Sequence, residues 1–338
     1  MVNPEVSVVL PVFNAENFIG EAINSILNQS FNNFELIIIN DGSSDNSLQV
    51  LEKYTSDPRV RIVNQKNKGL VYSLNIAISM ARGKYIARMD ADDICLPNRL
   101  EEQVKYIKKY NLDVVGSWVQ VFDDSGYFEI LSFPEKEIDN KYTLLFKSSL
   151  AHPSVLIKKQ VFDLVCYRDD ELCEDYDLWC QCILNDMKIG NVPKILLNYR
   201  RHDNQITTRK EKALFESLDR VRLNYAQKLD DSIYRLMLSE KELHNNANYK
   251  VFKKVIFDLH ELLINSNVSN GALYDILKCF YINVTPKSPI LYLHFYKYMS
   301  RYNQSFWSER ILFYRSLVFL SRDSKIYKII SKVYKWVS

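Results

Sequence analysis

Three aspartates stand within four positions of the segment YIARMDADDICLP, residues 85–97. Asp90, Asp92 and Asp93 directly follow a stretch with the composition of a buried strand. Like charges this close repel one another, and an unpaired buried carboxylate costs free energy or takes up a proton. A hard divalent cation with oxygen ligands would relieve that repulsion. The same spacing also suits a solvated turn that begins the next helix, so the motif alone leaves both interpretations open.

A second acidic pair, Glu174 and Asp175, lies in the segment CEDYDLW. Adjacent carboxylates can raise one another's pKa, which suits a general base. Acidic residues are also common in the first turn of a helix, where they interact favourably with the helix dipole. The pair therefore indicates either a catalytic base or an ordinary helix start.

Two histidines stand in polar segments, His152 in AHPSV and His202 in YRRHDNQ. A neutral imidazole can bind a metal ion or donate a hydrogen bond to a phosphate. Either residue could also be a loop histidine whose hydrogen bonds stay within the protein. Arg200 and Arg201, which precede His202, are candidates for phosphate contacts, because guanidinium groups bind phosphate in a bidentate manner.

The first hundred residues alternate between strand patterns and helical patterns. We predict strands over VSVVLPVF (6–13), FELIIIN (34–40), VRIVNQ (60–65) and GKYIARM (83–89), with a helix after each of the first three. Asn14 is predicted to cap the first helix. Apolar strands joined by helices predict a parallel sheet with helices on both faces. Ligands bind at the carboxyl ends of such strands, so NDGSSD and DADD, which follow two of them, should meet in space.

The pattern becomes less regular from residue 113 onward. LDVVGSWVQVFDDSG predicts a strand and a turn, EDYDLWCQCILNDM a helix, and KILLNYRRH a late strand. After residue 206 the patterns are helical, so we predict an α/β domain over residues 1–205 and an all-helical region over 206–338. Residues 1–205 hold 22 Lys and Arg against 29 Asp and Glu, whereas residues 206–338 hold 22 against 12. This asymmetry favours two units with different partners.

Composition excludes several classes of protein. Hydrophobic residues make up 47% of the 338 residues and charged residues 25%, which predicts a folded globular protein. We expect no signal peptide and no transmembrane run of about 18 apolar residues. The six cysteines lack metal-finger spacing and indicate reduced thiols of a cytosolic protein. The eight glycines form neither a GxGxxG motif nor a Walker loop, which argues against dinucleotide and P-loop enzymes, and no nucleic-acid motif is present.

The carboxyl-terminal segment KIYKIISKVYKWVS, residues 325–338, predicts a basic amphipathic helix. Its apolar residues fall on one side of a helical wheel and its four lysines on the other. Such a helix can lie in an anionic membrane interface, or it can pack on the helical region. The preceding segment ERILFYRSLVFLSR could extend the same surface or mediate a homodimer.

Several motifs, taken in their order along the chain, resemble those of the family 2 glycosyltransferases with the GT-A fold. The resemblance covers residues 5–205, and its motifs include LPVFNAENFIGEAINSILNQ, NDGSSD, ARMDADDICLPNRL, AHPSV, EDYDLW and YRRHDNQIT. Within the family the chain is similar to bacterial enzymes that extend lipooligosaccharide or other surface glycans. The β-1,3-N-acetylglucosaminyltransferases among them share the pattern ARxDADDI, EDYxxW and YRxHxNQ.

The resemblance implies a UDP-sugar donor and a Mn²⁺ or Mg²⁺ ion that bridges its diphosphate, held by Asp92 and His202. It implies that Asp175 is the catalytic base and that Glu174 supports it or contacts the acceptor. Phe13 would stack on uracil and Asp41 would hydrogen-bond it, while Asp90 would lie near the ribose and the sugar. The full set of implied donor-binding residues is Pro11, Phe13, Asn14, Asp41, Lys68, Gly69, Arg88, Asp90, Ala91, Asp92, Arg201 and His202.

The resemblance therefore implies an inverting, metal-dependent transferase that moves a sugar from a UDP-sugar to a glycan or lipid-linked oligosaccharide. GlcNAc is the favoured sugar, followed by galactose, glucose and GalNAc, and the expected location is the inner face of the cytoplasmic membrane. A nucleotidyltransferase is disfavoured, because residues 8–14 contain no glycine. A processive synthase is disfavoured as well, because no membrane channel is encoded. A non-catalytic glycan-binding subunit remains the alternative from another class, against which the intact Asp92 and Asp175 argue.

Overall fold

A computed structural model describes residues 3–202, 211–245 and 249–284 of the chain. Within these residues a nine-stranded mixed β-sheet forms the centre of the amino-terminal unit. The strands are β1 (Val6–Val12), β2 (Phe34–Asp41), β3 (Val60–Gln65), β4 (Tyr85–Arg88), β5 (Ile94–Cys95), β6 (Val114–Asp123), β7 (Gly126–Leu131), β8 (Leu156–Lys158) and β9 (Ile189–Arg200).

Six helices precede the last strand and four follow it in the described residues. They are α1 (Ile19–Leu27), α2 (Ser47–Glu52), α3 (Leu70–Met80), α4 (Arg99–Lys109), α5 (Glu137–Thr143), α6 (Glu174–Leu184), α7 (Glu211–Leu229), α8 (Asp231–Asn245), α9 (Tyr249–Asn265) and α10 (Asn270–Val284). The predicted α/β fold with carboxyl-terminal helices is confirmed.

The strand order is β3-β2-β1-β4-β8-β6-β9-β5, and β7 pairs with β6 outside this path. The first four strands are parallel, as predicted, with β1 between β2 and β4. The sheet becomes mixed at β8, which runs antiparallel to both β4 and β6. Since β2 and β4 flank β1 in parallel, NDGSSD and DADD lie at the same edge of the sheet, on either side of the end of β1.

Burial explains the regularity of the first half. Every residue of β1 and β2 is buried, as expected for central parallel strands covered on both faces. Helix α1 buries Ile19, Ala22, Ile23 and Ile26, the positions that a period of 3.6 places on one face.

The prediction that Asn14 caps α1 is wrong, because the helix begins at Ile19. Asn14 has a left-handed backbone with φ of 50°, a conformation that asparagine tolerates. Its Oδ1 accepts a hydrogen bond of 2.8 Å from the backbone N–H of Ser44. The residue therefore joins the loop after β1 to the loop after β2 instead of capping a helix.

The chain divides into two compact units, residues 1–225 and 226–338. This division falls within α7, later than the boundary predicted between residues 205 and 206. In the part of the chain that the structure describes, no helix combines the length and apolarity needed to cross a bilayer. The predicted amphipathic helix over residues 325–338, and the segment before it, lie outside the described residues.

Candidate active site

A buried arginine organises the acidic turn after β4. Arg88, the last residue of that strand, is 4% exposed. Its Nη1 and Nη2 donate to the two carboxylate oxygens of Asp90, each over 2.5 Å. Burial raises the pKa of Asp90 to about 6, although the positive charge of Arg88 lowers it. The negative charge of Asp92 raises it further. Asp90 is therefore held in a fixed orientation and stays ionised at neutral pH.

The third aspartate ties this turn to the end of β9. Asp93 is 1% exposed, and its Oδ1 accepts a hydrogen bond of 2.8 Å from the backbone N–H of Arg200. Its Oδ2 has no hydrogen-bond partner among the described residues. Burial, together with the charges of Asp90 and Asp92, raises the pKa of Asp93 well above its usual range. The turn thus concentrates three carboxyl groups in a poorly solvated place.

The residues at this turn fit a divalent cation. Oxygens of Asp90, Asp92 and Asp93 all lie within 4.8 Å of one another. The Oδ2 of Asp92 is 3.0 Å from Nε2 of His202, close to the roughly 3 Å that separates neighbouring ligands around an octahedral ion with bonds near 2.1 Å. Carboxylate oxygens with one imidazole suit Mg²⁺ or Mn²⁺. The structure thus brings the two predicted ligands together, while the ion itself remains a prediction.

The predicted base and its neighbour begin α6. Burial raises the pKa of Glu174 to about 7, and the charge of Asp175 adds to the effect while Arg88 opposes it. Burial also raises the pKa of Asp175. A hydrogen bond from the backbone N–H of Tyr176 and the positive charge of Arg88 lower that pKa, but by less. Arg88 therefore acts electrostatically on the acids of both motifs. Two acidic pairs that are far apart in sequence lie around one buried guanidinium group.

His152 lies next to this cluster and differs from a solvated loop histidine. It is 7% exposed, and its Nε2 is 2.8 Å from the hydroxyl oxygen of Tyr167. Its Nδ1 lies 3.9 Å from Oε1 of Glu174. Tyr167 was not predicted, because it stands outside every motif and is one of 22 tyrosines.

The two arginines before His202 are engaged within the protein. Arg200 donates from Nη2 to Glu21 over 2.5 Å, and its guanidinium lies over the rings of Phe18 and Phe122 at 4.9 and 4.4 Å. The suggestion that Arg200 contacts phosphate is therefore not supported by its geometry. Arg201 is half-exposed, 3.7 Å from Glu129.

A second aromatic contact positions His202 itself. The imidazole stacks on Phe18, with ring centroids 5.1 Å apart and planes inclined by 26°. No motif assigned a role to Phe18, so this contact was not predicted. The stacking orients Nε2 toward Asp92.

Asp41, which the resemblance places in the nucleotide pocket, is buried and accepts several hydrogen bonds. It is 4% exposed, and it accepts hydrogen bonds from Gln65 Nε2 over 2.7 Å, Lys68 N over 2.8 Å and Gly69 N over 2.9 Å. Gly69 has φ of 90°, which favours glycine. Asp41 thus holds the turn before α3, and its predicted contact with the base remains a prediction.

The other predicted donor-binding residues lie at or beside the ends of β1 and β4. Phe13, just after β1, exposes 52% of its surface, so its ring is accessible for stacking. Pro11 is buried within β1. Ala91 is half-buried between Asp90 and Asp92.

The loop that leads into α6 is held by α7, an arrangement that no motif predicted. Ser217, which is 1% exposed, donates over 2.5 Å to Oε2 of Glu171 and accepts from the backbone N–H of Leu172 over 3.0 Å. Arg220 binds both carboxylate oxygens of Glu171, over 3.0 and 2.7 Å. These contacts, the 171–220 latch, fix the chain just before Glu174.

Comparisons with known proteins show the family to which the chain belongs. The family model described as Glycosyl transferase family 2 matches residues 7–163. The O-antigen biosynthesis glycosyltransferase WbnJ of Escherichia coli is 36% identical over 222 residues, which cover 62% of this chain and 85% of the relative. The Escherichia coli UDP-Glc:alpha-D-GlcNAc-diphosphoundecaprenol beta-1,3-glucosyltransferase WfgD is 32% identical, over 63% of this chain and 84% of the relative.

A solved structure supports the fold. The crystal structure of Staphylococcus aureus TarS 1–349 in complex with UDP-GlcNAc matches with a TM-score of 0.58 over 93% of this chain and 90% of that chain. Sequence identity is 18%, so this match concerns the GT-A-like fold alone. The relatives, in agreement with the family model, show that the protein is a transferase: the chain belongs to glycosyltransferase family 2.

Proposed function

We propose that this protein is an inverting, metal-dependent transferase that moves a sugar from a UDP-sugar onto a glycan of a bacterial cell surface. The observation that carries the proposal is that Arg88 binds Asp90 directly and also acts electrostatically on Glu174 and Asp175, so the acids of both motifs lie near one guanidinium group. One group of acids is suited to hold a cation and the other to remove a proton, as sugar transfer from a nucleotide requires.

Asp92 and His202 would hold the divalent ion, with Asp90 or Asp93 as a further ligand. When bound, the ion neutralises the charge that develops on the departing diphosphate. Asp175 takes the proton of the acceptor hydroxyl while that oxygen bonds to the anomeric carbon and the bond to the diphosphate breaks. Attack from the face opposite the leaving group inverts the configuration. Arg88 keeps Asp90 oriented and lowers the repulsion between the acids.

GlcNAc is our first choice of donor sugar, in keeping with the resemblance and with the UDP-GlcNAc bound by TarS. Glucose is the second, because the name of WfgD gives UDP-Glc as its donor. The same name gives a diphosphoundecaprenol-linked acceptor, and WbnJ is named for O-antigen biosynthesis. These names favour a lipid-linked oligosaccharide as the acceptor here.

A thermal-shift panel tests the donor site. The protein is heated with UDP, GDP, CDP, UDP-GlcNAc or UDP-Glc, each with and without Mn²⁺. A ligand that binds the folded state raises the melting temperature with the logarithm of its concentration over Kd. We expect UDP and one UDP-sugar to stabilise the protein when Mn²⁺ is present. If no nucleotide shifts the melting temperature, a non-catalytic glycan-binding subunit becomes the better interpretation.

Two variants separate binding from chemistry. Asp92→Asn should weaken the Mn²⁺-dependent shift with UDP, because it removes a charged ligand of the ion. Asp175→Asn should keep that shift and lower transfer by about 10²- to 10⁴-fold, the usual contribution of a general base. Transfer at the wild-type rate by Asp175→Asn would show that another residue is the base.

Association with the membrane is part of the proposal, because a lipid-linked acceptor lies there. This part of the proposal rests on the sequence of residues 325–338, whose four lysines would contact anionic lipid headgroups. They are Lys325, Lys328, Lys332 and Lys335. The protein should sediment with phosphatidylglycerol vesicles and not with phosphatidylcholine vesicles, and replacing the four lysines by glutamine should abolish binding. The segment ERILFYRSLVFLSR, which precedes these residues, could instead mediate a homodimer. Light scattering would detect such a dimer by its mass.

A further inference from the structure

His152 is a buried histidine that no step of the proposed reaction uses. It begins the 3₁₀ helix His152–Ser154, and its ring lies nearly perpendicular to that of Trp179, with an interplanar angle of 79° and a centroid distance of 6.0 Å. Nε2 contacts the hydroxyl of Tyr167 at 2.8 Å, and Nδ1 faces Oε1 of Glu174 at 3.9 Å. The imidazole therefore connects a buried phenol to one of the two acids that begin α6.

Both members of the histidine–tyrosine pair are uncharged. Burial, with a contribution from the positive charge of Arg88, lowers the pKa of His152 well below its usual range. Burial raises the pKa of Tyr167. The ring consequently carries one N–H, and its two nitrogens have opposite roles. Since Nε2 faces Tyr167 and Nδ1 faces Glu174, the tautomer decides which of the two neighbours faces the N–H.

The two tautomers suit different states of Glu174. If the Tyr167 hydroxyl donates to Nε2, then Nδ1 carries the proton and can donate to an ionised carboxylate. If Nε2 donates to Tyr167, then Nδ1 is bare and can accept from a protonated carboxyl group. The gap of 3.9 Å exceeds a hydrogen bond, but such bonds are often long in unliganded active sites and shorten when substrate binds.

We propose that His152, oriented by Tyr167, is a positioning residue that holds Glu174 beside Asp175 in both protonation states of Glu174. The inference rests on the proposed function only in taking Asp175 as the base. A fixed Glu174 would keep its carboxyl group on the acceptor side and prevent it from rotating onto Asp175. The 171–220 latch holds the backbone at this place, and His152 holds the side chain.

Charged and titratable groups face this pair from several elements. Arg88 comes from β4, Asp90 follows that strand, and Asp175 and Cys182 belong to α6. Among them, the pKa of Glu174 is raised to about 7, so its titration falls in an accessible range. A pH titration near neutrality should therefore report on Glu174 through the imidazole.

Nitrogen NMR of the full chain, labelled with ¹⁵N-histidine and free of metal and nucleotide, tests the proposal directly. The chain has five histidines, and the signals that disappear in His152→Gln belong to His152. We expect these signals to show a neutral ring that changes tautomer with a midpoint near pH 7, the pKa of Glu174. The midpoint should vanish in Glu174→Gln, and Tyr167→Phe should alter the tautomer balance.

His260 provides a matched control within the same spectra. It is also a buried histidine, and its Nδ1 lies 3.9 Å from Oε1 of Glu261. Its signals should not respond to Glu174→Gln. A His152 ring that gains a positive charge with a midpoint of its own, or whose signals are the same in Glu174→Gln and the wild type, would overturn the proposal.

A second test of the proposal measures the kinetics of UDP release from UDP-GlcNAc in the presence of Mn²⁺. The amide nitrogen of asparagine can take the place of Nδ1, whereas that of glutamine takes the place of Nε2. His152→Asn should stay within a few-fold of the wild-type kcat and shift its pH profile, and His152→Gln should lose about 10-fold or more, since small misplacements in an active site can cost up to about 100-fold. Equal losses in both variants, with equal melting temperatures, would contradict the proposal. If the NMR results hold but the wild type releases no UDP from any UDP-sugar, the proposed function fails while the positioning of Glu174 stands.

Discussion

Replacing Glu174 by glutamine should stabilise the protein at alkaline pH. The folded structure raises the pKa of this carboxyl group from 4.5 to about 7. A raised pKa of an acid means that the folded state binds the proton more tightly than the unfolded chain. Stability is therefore highest below pH 4.5 and decreases as the pH rises through 7. At about 1.4 kcal/mol per pKa unit, the ionised side chain costs about 3 kcal/mol at pH 8.

The assay is thermal and urea-induced unfolding of the metal-free protein at pH 4.5 and pH 8. For a unit of this size, 1 kcal/mol corresponds to roughly 2–4 °C, so Glu174→Gln should melt roughly 6–12 °C higher than the wild type at pH 8. At pH 4.5 the difference should largely disappear, because the wild-type carboxyl group is protonated in the folded state.

Glu101→Gln is the control, because Glu101 also stands in the first turn of a helix. It is exposed to solvent, and hydrogen bonds from Lys105 and Ser30 lower its pKa. Its replacement should give no gain in stability at pH 8. If Glu174→Gln destabilises the protein equally at both pH values, or if the control variant gains as much, burial of Glu174 is not the source of its raised pKa.

Three further changes test other parts of the site. Arg220→Gln removes an ion pair at the protein surface, where such pairs add little to stability, yet it should lower kcat by about 10-fold or more because the 171–220 latch is lost. Lys105→Gln, which removes an exposed pair on α4, should leave kcat unchanged in the same UDP-release assay. Asp41→Asn places an amide among three donors, and calorimetric titration should show weaker UDP binding along with a loss of about 1–3 kcal/mol in stability. Gly42→Ala should destabilise the protein, measured as a lower urea midpoint, because φ is 70° and the new Cβ would lie 2.6 Å from the backbone nitrogen of Asn67.

The first half of the fold could be predicted because its local patterns and its tertiary structure agree. Central parallel strands are buried on both faces, so β1 and β2 are continuous apolar runs, and α1 shows one apolar face. The second half could not be predicted in the same way. Strand β8 contains three residues and pairs with two strands that are distant in sequence. Such a short strand has too few residues to show a period.

Local capping rules failed at Asn14 for a related reason. Asparagine is a good helix cap, but here its side chain binds the loop after β2, which the sequence places 30 residues away. Arg200 illustrates the same limit, because its position beside His202 indicated a phosphate contact. Its partners include Glu21, the backbone oxygen of Asp92 and the rings of Phe18 and Phe122.

The sequence by itself determined the identity of the acids, their position after a strand and at a helix start, and the family to which they belong. These properties depend on residue types at short spacing, which are visible in the amino-acid sequence alone. Only the tertiary structure decided that Arg88 lies near the acids of both motifs, that Tyr167 contacts His152, and that α7 holds the loop before α6. Each of these contacts joins segments that the chain separates, and no local periodicity encodes which of the many available side chains will meet.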